Sequence, residues 1–146
     1  MLRLVIILGS LLLVGCEPMG PLPGGELDGQ LQEATVSWMS FAEVELVQLE
    51  TRPSDPYSIN MWGVTNGEKY YIASGGGRKS EWVGHILEDP KVRLRIEENI
   101  FELKAVLVSE EDELTMVEGL YDQKYDMESV GQDSTDDILV YRLDPR

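Results

Sequence analysis

Two places in this chain hold residues whose types and spacing could do chemistry. The first is Gly75-Gly76-Gly77-Arg78-Lys79, followed by Ser80-Glu81. Consecutive glycines let backbone N–H groups approach an anion, and a following helix start adds partial positive charge. Arg78 and Lys79 would add two full charges for a phosphate. Trp62, Tyr70, Tyr71 and Trp82 could wall a planar ring. The same residues also suit a flexible barrel corner with a solvated pair of cations, and Trp82 on a helix face also suits a core position. The second place is Cys16, the only cysteine. A thiolate is the strongest side-chain nucleophile for attacking a lipid donor. His85, the only histidine, suits an ordinary hydrogen-bonded position as well as a functional one, and no residue stands out as a general acid.

Cys16 closes a leader-like segment. Arg3 is a positive n-region, Leu4 to Leu13 form a short apolar run, and small Gly15 precedes the cysteine. The run is too short to span a bilayer core of roughly 30 Å. Leu13-Val14-Gly15-Cys16 resembles the lipobox of bacterial lipoproteins. That resemblance implies cleavage before Cys16, acylation of its thiol, and a protein held on a membrane facing the periplasm or cell exterior. Residues 1–15 are then a signal peptide, 16–30 a flexible Gly/Pro-rich tether, and 31–146 one folded domain, a length typical of single domains.

Composition excludes several functions. Twelve Lys and Arg stand against 27 Asp and Glu, a formal charge of −15. Loss of Arg3 with the leader takes −15 to −16. Such a surface repels nucleic acid. One cysteine and one histidine leave no material for a cysteine-based or multi-histidine metal site.

The elements that must position the glycine loop read mainly as strands. Leu31 to Phe41 has apolar spacing for a short helix, and Val44-Leu49 is a strand. Tyr57-Thr65 alternates, with Ile59, Met61 and Gly63 on one face and Asn60, Trp62 and Val64 on the other. Asn66-Gly67 marks a hairpin returning as Tyr70-Ser74. Ser80-Glu88 reads as a helix with Ser80 as N-cap, stopped by Asp89-Pro90. Lys91-Ile96 alternates, with Val92, Leu94 and Ile96 inward and Lys91, Arg93 and Arg95 outward, so Arg93→Ala is expected to cost little. Phe101, Leu103, Ala105 and Leu107 form the next inward face. Glu110-Met127 reads as an acidic helix with Leu114, Val117, Tyr121 and Tyr125 as its stripe. Gly131 to Asp137 is a polar loop, and Ile138-Leu143 a last strand. These make a mainly β protein with about six antiparallel strands and short helices at the corners.

Ala73 to Val92, with Leu49-Glu50-Thr51-Arg52 and Asn66-Gly67-Glu68-Lys69-Tyr70-Tyr71 upstream, resembles the deazaflavin-dependent nitroreductase-like proteins. These belong to the pyridoxamine-phosphate-oxidase-like split barrels, an FMN-binding-like fold. The shared features are a basic Gly-rich loop, a Trp-containing helix ended by a proline, and a Val-rich strand. Two features depart from the family. Pro53-Ser54-Asp55-Pro56 replaces its basic turn, leaving Arg52 as the only cation there, and His85 stands where the family usually has an amide. The resemblance implies a split β-barrel that binds FMN, a deazaflavin or another phosphorylated small ligand. Gly76, Gly77, Arg78 and Lys79 would lie at the phosphate, with Trp62 and Trp82 beside the ring. It also implies a homodimer and, if the protein is an enzyme, hydride transfer. The alternative is a non-catalytic envelope lipoprotein that has lost the cofactor and acts in binding or assembly.

Overall fold

The structure is a computed structural model that describes residues 17–33, 37–127 and 138–146. The leader with Cys16 and the polar loop Gly131 to Asp137 lie outside the described residues, as do residues 34–36 and 128–130. In chain order the elements are β1 (Gln30–Gln32), β2 (Leu46–Thr51), β3 (Tyr57–Thr65), β4 (Tyr70–Ser74), α1 (Glu81–Glu88), β5 (Lys91–Ile96), β6 (Asn99–Leu107), α2 (Glu111–Lys124) and β7 (Leu139–Pro145).

The strands run in the order β1-β6-β5-β2-β3-β4-β7, and β6 also pairs with β7. That second pairing closes β2 to β7 into a six-stranded antiparallel barrel, with β1 added parallel to β6. A length of nine residues lets β6 serve three neighbours. Its first residues, Asn99 to Phe101, meet β1, while Leu103 to Leu107 meet β7. Closure removes the open edges that would otherwise invite pairing with other chains.

Alternation decides what fills the barrel. Val47, Leu49, Tyr70, Ile72, Val92, Leu94, Ile96, Phe101, Leu103, Ala105, Tyr141 and Leu143 form one buried core. Trp38 from the segment before β2 enters it beside Tyr70 and Phe101, and Trp82, Val83 and Ile86 of α1 enter it beside Tyr141. A second cluster lies outside the barrel wall, where Val64, Tyr71, Val108 and Val140 are covered by Val117, Tyr121 and Tyr125 of the α2 segment. The acidic helix thus buries the stripe its periodicity marks, and Glu113 ties it to the wall. Glu113 accepts a hydrogen bond from the Tyr71 hydroxyl at 2.8 Å and pairs with Arg142 at 3.3 Å.

Three expectations need correction. Among the described residues of the span Leu31 to Phe41 no α-helix forms: Gln30–Gln32 is a strand and Met39–Phe41 a single 3-10 turn. Leu107 is not in the core but 45 % exposed. Pairing of β6 with β5 ends at Lys104, so Leu107 stands at a rim with only β7 beside it. Arg93 is not a bystander either. Its guanidinium donates to both carboxylate oxygens of Glu50 at 3.1 and 3.0 Å, and Glu50 is 3 % exposed.

The stretch read as a tether is packed on the wall. Glu17 meets Arg95 through two bonds of 2.7 and 2.8 Å. Asn60 donates to the carbonyls of Pro18 and Gly20, Ser58 bridges Gly24, and the Leu27 N–H donates to Glu50 at 2.7 Å. Leu27 is fully buried. Composition suggests mobility here, but the carbonyls find donors on β3 and β5 that no local pattern announces.

Candidate functional site

The glycine loop is a closed turn. Ser74, buried at the end of β4, donates its hydroxyl to the Gly77 carbonyl at 3.0 Å and lies 2.6 Å from the Ser80 hydroxyl. The Lys79 and Ser80 amides donate back to the carbonyls of Gly76 and Gly77. Gly77 sits at φ +54°, a conformation that disfavours side chains. A Cβ on Gly76 would come within 2.9 Å of the Ser80 hydroxyl. A Cβ on Gly75 would meet nothing within 4 Å, so the firm requirement for glycine in this loop is the positive φ of Gly77. The single 3-10 turn Gly77–Lys79 places Arg78 and Lys79, both exposed, directly before α1. Ser80 occupies the N-cap position without capping, because its hydroxyl is turned back to Ser74.

Gly76, Gly77, Arg78 and Lys79 are therefore brought together, but the aromatic residues are dispersed. Trp82 is 6 % exposed and packs edge-on against Tyr141 at 5.8 Å, inside the barrel core. Trp62 is half-exposed on the outer face of β3, stacked on Tyr125 at 4.4 Å with the rings 9° from parallel. Tyr70 points into the barrel and Tyr71 out under α2. The Tyr70 hydroxyl is buried without a partner among the described residues, and burial pushes its pKa above the ordinary phenol range.

A second polar cluster adjoins the loop through α1. His85, one turn into that helix, has Nδ1 2.8 Å from the Thr51 hydroxyl and Nε2 3.4 Å from the Arg52 guanidinium. A guanidinium only donates, so the Arg52 contact assigns Nε2 as acceptor and the ring proton to Nδ1, facing Thr51, with the Glu81 carboxylate 3.9 Å from the same Nε2. Thr51 passes its own hydrogen to the Tyr57 carbonyl at 3.4 Å. The Tyr57 ring stands edge-on to His85 at 4.9 Å. Its hydroxyl pKa is raised by burial and by the neighbouring Glu81 carboxylate. Arg52 has φ 57°, unusual for a residue with a side chain. The turn holds it there: Arg52 Nε donates to the Asp55 carbonyl at 2.7 Å, and Asp55 pairs with Nη2 at 3.1 Å. Sequence spacing does not connect Thr51, Arg52 and Tyr57 with Glu81 and His85. Only the packing of α1 on the β2–β3 turn does so.

At the C-terminal end of α2, Lys124 Nζ donates to the carbonyls of Val44 and Gly63, both at 2.7 Å. Desolvation lowers its pKa, and these bonds explain why an ammonium is tolerated there. Among the described residues no group of three His, Cys, Asp or Glu is arranged to hold a metal.

The decisive comparison is with a family model described as "Uncharacterized protein conserved in bacteria (DUF2255)", which matches residues 32–138. The chain belongs to this family. No curated protein matches its sequence. Among solved structures, this member of the DUF2255 family is similar to HutZ, the heme storage protein of Vibrio cholerae. That likeness is 19 % identity over 74 % of this chain and 87 % of that one, at a TM-score of 0.58. It is also similar to a candidate pyridoxamine 5'-phosphate oxidase from Listeria innocua, with 14 % identity, 74 % and 90 % coverage, and a TM-score of 0.56. An F420-H2 dependent reductase, FDR-A, has 20 % identity, 68 % and 93 % coverage, and a TM-score of 0.56. At these identities the likeness is one of fold: this chain shares the split-barrel architecture of those proteins.

Proposed function

We propose that this protein is a membrane-anchored lipoprotein, acylated at Cys16, whose split barrel binds a phosphorylated small ligand of the flavin or deazaflavin kind. The observation that carries the ligand reading is the turn Gly76–Lys79. A required glycine at positive φ and a Ser74–Ser80 contact hold two exposed cations together at the start of α1. This is rare cationic ground in a chain of charge −15. The residues fit a phosphate. They do not by themselves fit a ring, since Trp82 is sealed in the core and Trp62 stacks on Tyr125. A second copy would supply the missing wall. Leu46 and Trp62 are direct cross-strand neighbours and both exposed, which favours a homodimer. A flavin-type group, when bound, would supply hydride-transfer chemistry, and the chain would bind and orient its phosphate.

Calorimetry on the purified processed chain tests this. Wild type is expected to bind FMN or a deazaflavin. The Arg78→Ala/Lys79→Ala variant should bind at least tenfold more weakly, about 1.4 kcal/mol, a modest demand on two charge-assisted contacts. Affinity should fall as salt rises. The sealing of Trp82 in the core favours a second reading, a non-catalytic envelope lipoprotein. Absence of any binding of flavin, deazaflavin or haem to wild type would select that second reading. Acylation is tested separately: Cys16→Ser should leave an unprocessed precursor that takes up no labelled fatty acid.

A further inference from the structure

The segment that follows Cys16 is held on the barrel wall from its first residue, and it carries an apolar tip. Met19 and Leu22 exchange two backbone hydrogen bonds of 3.0 and 2.9 Å around Gly20-Pro21, with Gly20 at φ +54°. The tight turn throws both side chains outward, 72 % and 64 % exposed. It is not free to swing. Pro18 is buried, Asn60 holds the carbonyls of Pro18 and Gly20, and Gly24 bridges Ser58. From Pro18 to Gly25 there is no charged residue, in a chain that is 27 % charged. Two charges flank it: Glu17 is matched by both Nη atoms of Arg95, and Glu26 lies 3.9 Å from the Arg93 guanidinium.

We infer that the Met19–Leu22 turn is a membrane-contacting knob that seats the barrel directly on the bilayer. The inference rests on the reading of Cys16 as acylated and is independent of the cofactor reading. Cys16 is bonded to Glu17, so its thiol is one residue from the Arg95 clamp. Met19 is three residues on, at most about 11 Å of extended chain. Acyl chains on Cys16 would therefore draw the neutral tip to the headgroup boundary, where side chains of this kind partition. The strongly anionic remainder of the molecule is repelled from an anionic surface, so an uncharged face is the one that can approach. A lipoprotein with a free tether would tumble, whereas this geometry fixes one orientation.

The acylated protein holds no free thiol, so a Leu22→Cys variant can be labelled at one site with an environment-sensitive fluorophore. Leu87→Cys is the control, since Leu87 on α1 is exposed to a similar degree, 61 %. Each variant is placed in phosphatidylcholine vesicles carrying brominated acyl chains. Several-fold stronger quenching at position 22 than at position 87 is expected. Equal quenching at the two positions, or stronger quenching at 87, overturns the inference while leaving the anchor intact. Mass spectrometry on the same samples reports the anchor separately: an unacylated Cys16 would remove the basis of both. Met19→Cys reads the same turn if Leu22→Cys fails to fold.

Discussion

Gly63 and Gly84 show how differently two glycines in regular structure behave. A Cβ on Gly63 would lie 2.5 Å from the Tyr70 ring and hydroxyl, and the Gly63 carbonyl already accepts from Lys124 and Tyr125. Gly84 is exposed in α1, where an added Cβ would meet nothing within 4 Å. Gly63→Ala should destabilise by about 1–3 kcal/mol through overpacking. Gly84→Ala should stabilise by roughly 0.5–1 kcal/mol through helix propensity. Urea denaturation of the two variants checks both signs. Arg93 is the other residue whose meaning comes from its partner. Arg93→Ala leaves Glu50 buried with only the Leu27 amide, so a loss of about 2–3 kcal/mol is expected, below the full buried-pair figure because Arg93 is partly exposed. A loss under roughly 0.5 kcal/mol in the same titration would show the pair to be dispensable.

Among the elements, β5 and β6 carry the barrel register. Leu94 pairs with Phe101 and is fully buried, whereas Leu107 pairs only across β7 at the rim. Leu94→Ala should cost about 2–5 kcal/mol, as large-to-small core changes do. Leu107→Ala should stay within roughly 0.5 kcal/mol, as exposed positions do. Similar losses for both, read from thermal or urea unfolding, would reject the register. The loop before α1 follows the same logic at smaller scale. Its glycines and serines close the turn on itself, so Arg78 and Lys79 are presented by a fixed piece of backbone.

For the molecule as a whole, two carboxylates tie peripheral elements to the barrel. Glu17 lies below the usual carboxylate range through its bond to Arg95. At Glu113 burial works the other way, but the Tyr71 hydrogen bond and Arg142 prevail and its pKa is also lowered. A carboxylate with a lowered folded pKa binds fewer protons folded than unfolded in the window below 4.5, so stability rises with pH there. The contribution is complete above 4.5 and lost as pH falls through the lowered values. Acid titration should therefore loosen both the strap and α2. The Glu113→Gln variant should show a shallower fall in melting temperature across that window than wild type. Parallel curves would mean that the Tyr71–Glu113–Arg142 contact does not govern acid stability.

From β2 onward local sequence determined the order of the elements, because each rests on signals within a few residues. Period-two alternation marks β3 and β5, Asn66-Gly67 the hairpin, and Pro90 the end of α1. Asn66 confirms its own part: its side chain accepts from the Glu68 and Lys69 amides, while Gly67 takes the positive φ of 99°. The stripe on α2 and the clustering of Gly76 to Lys79 were legible for the same reason. Tertiary structure decided whatever depends on residues far apart in the chain. It alone joined His85 to Thr51 and Arg52, separated Trp62 from Trp82, and gave Arg93 a buried partner. It also converted a Gly/Pro-rich stretch into a strap, since composition reports a weak local preference while the donors of Asn60, Ser58 and Arg95 lie some 30 to 80 residues away. Alternation tells which face a residue is on, but only barrel closure tells whether anything stands opposite, and that is why Leu107 lies exposed.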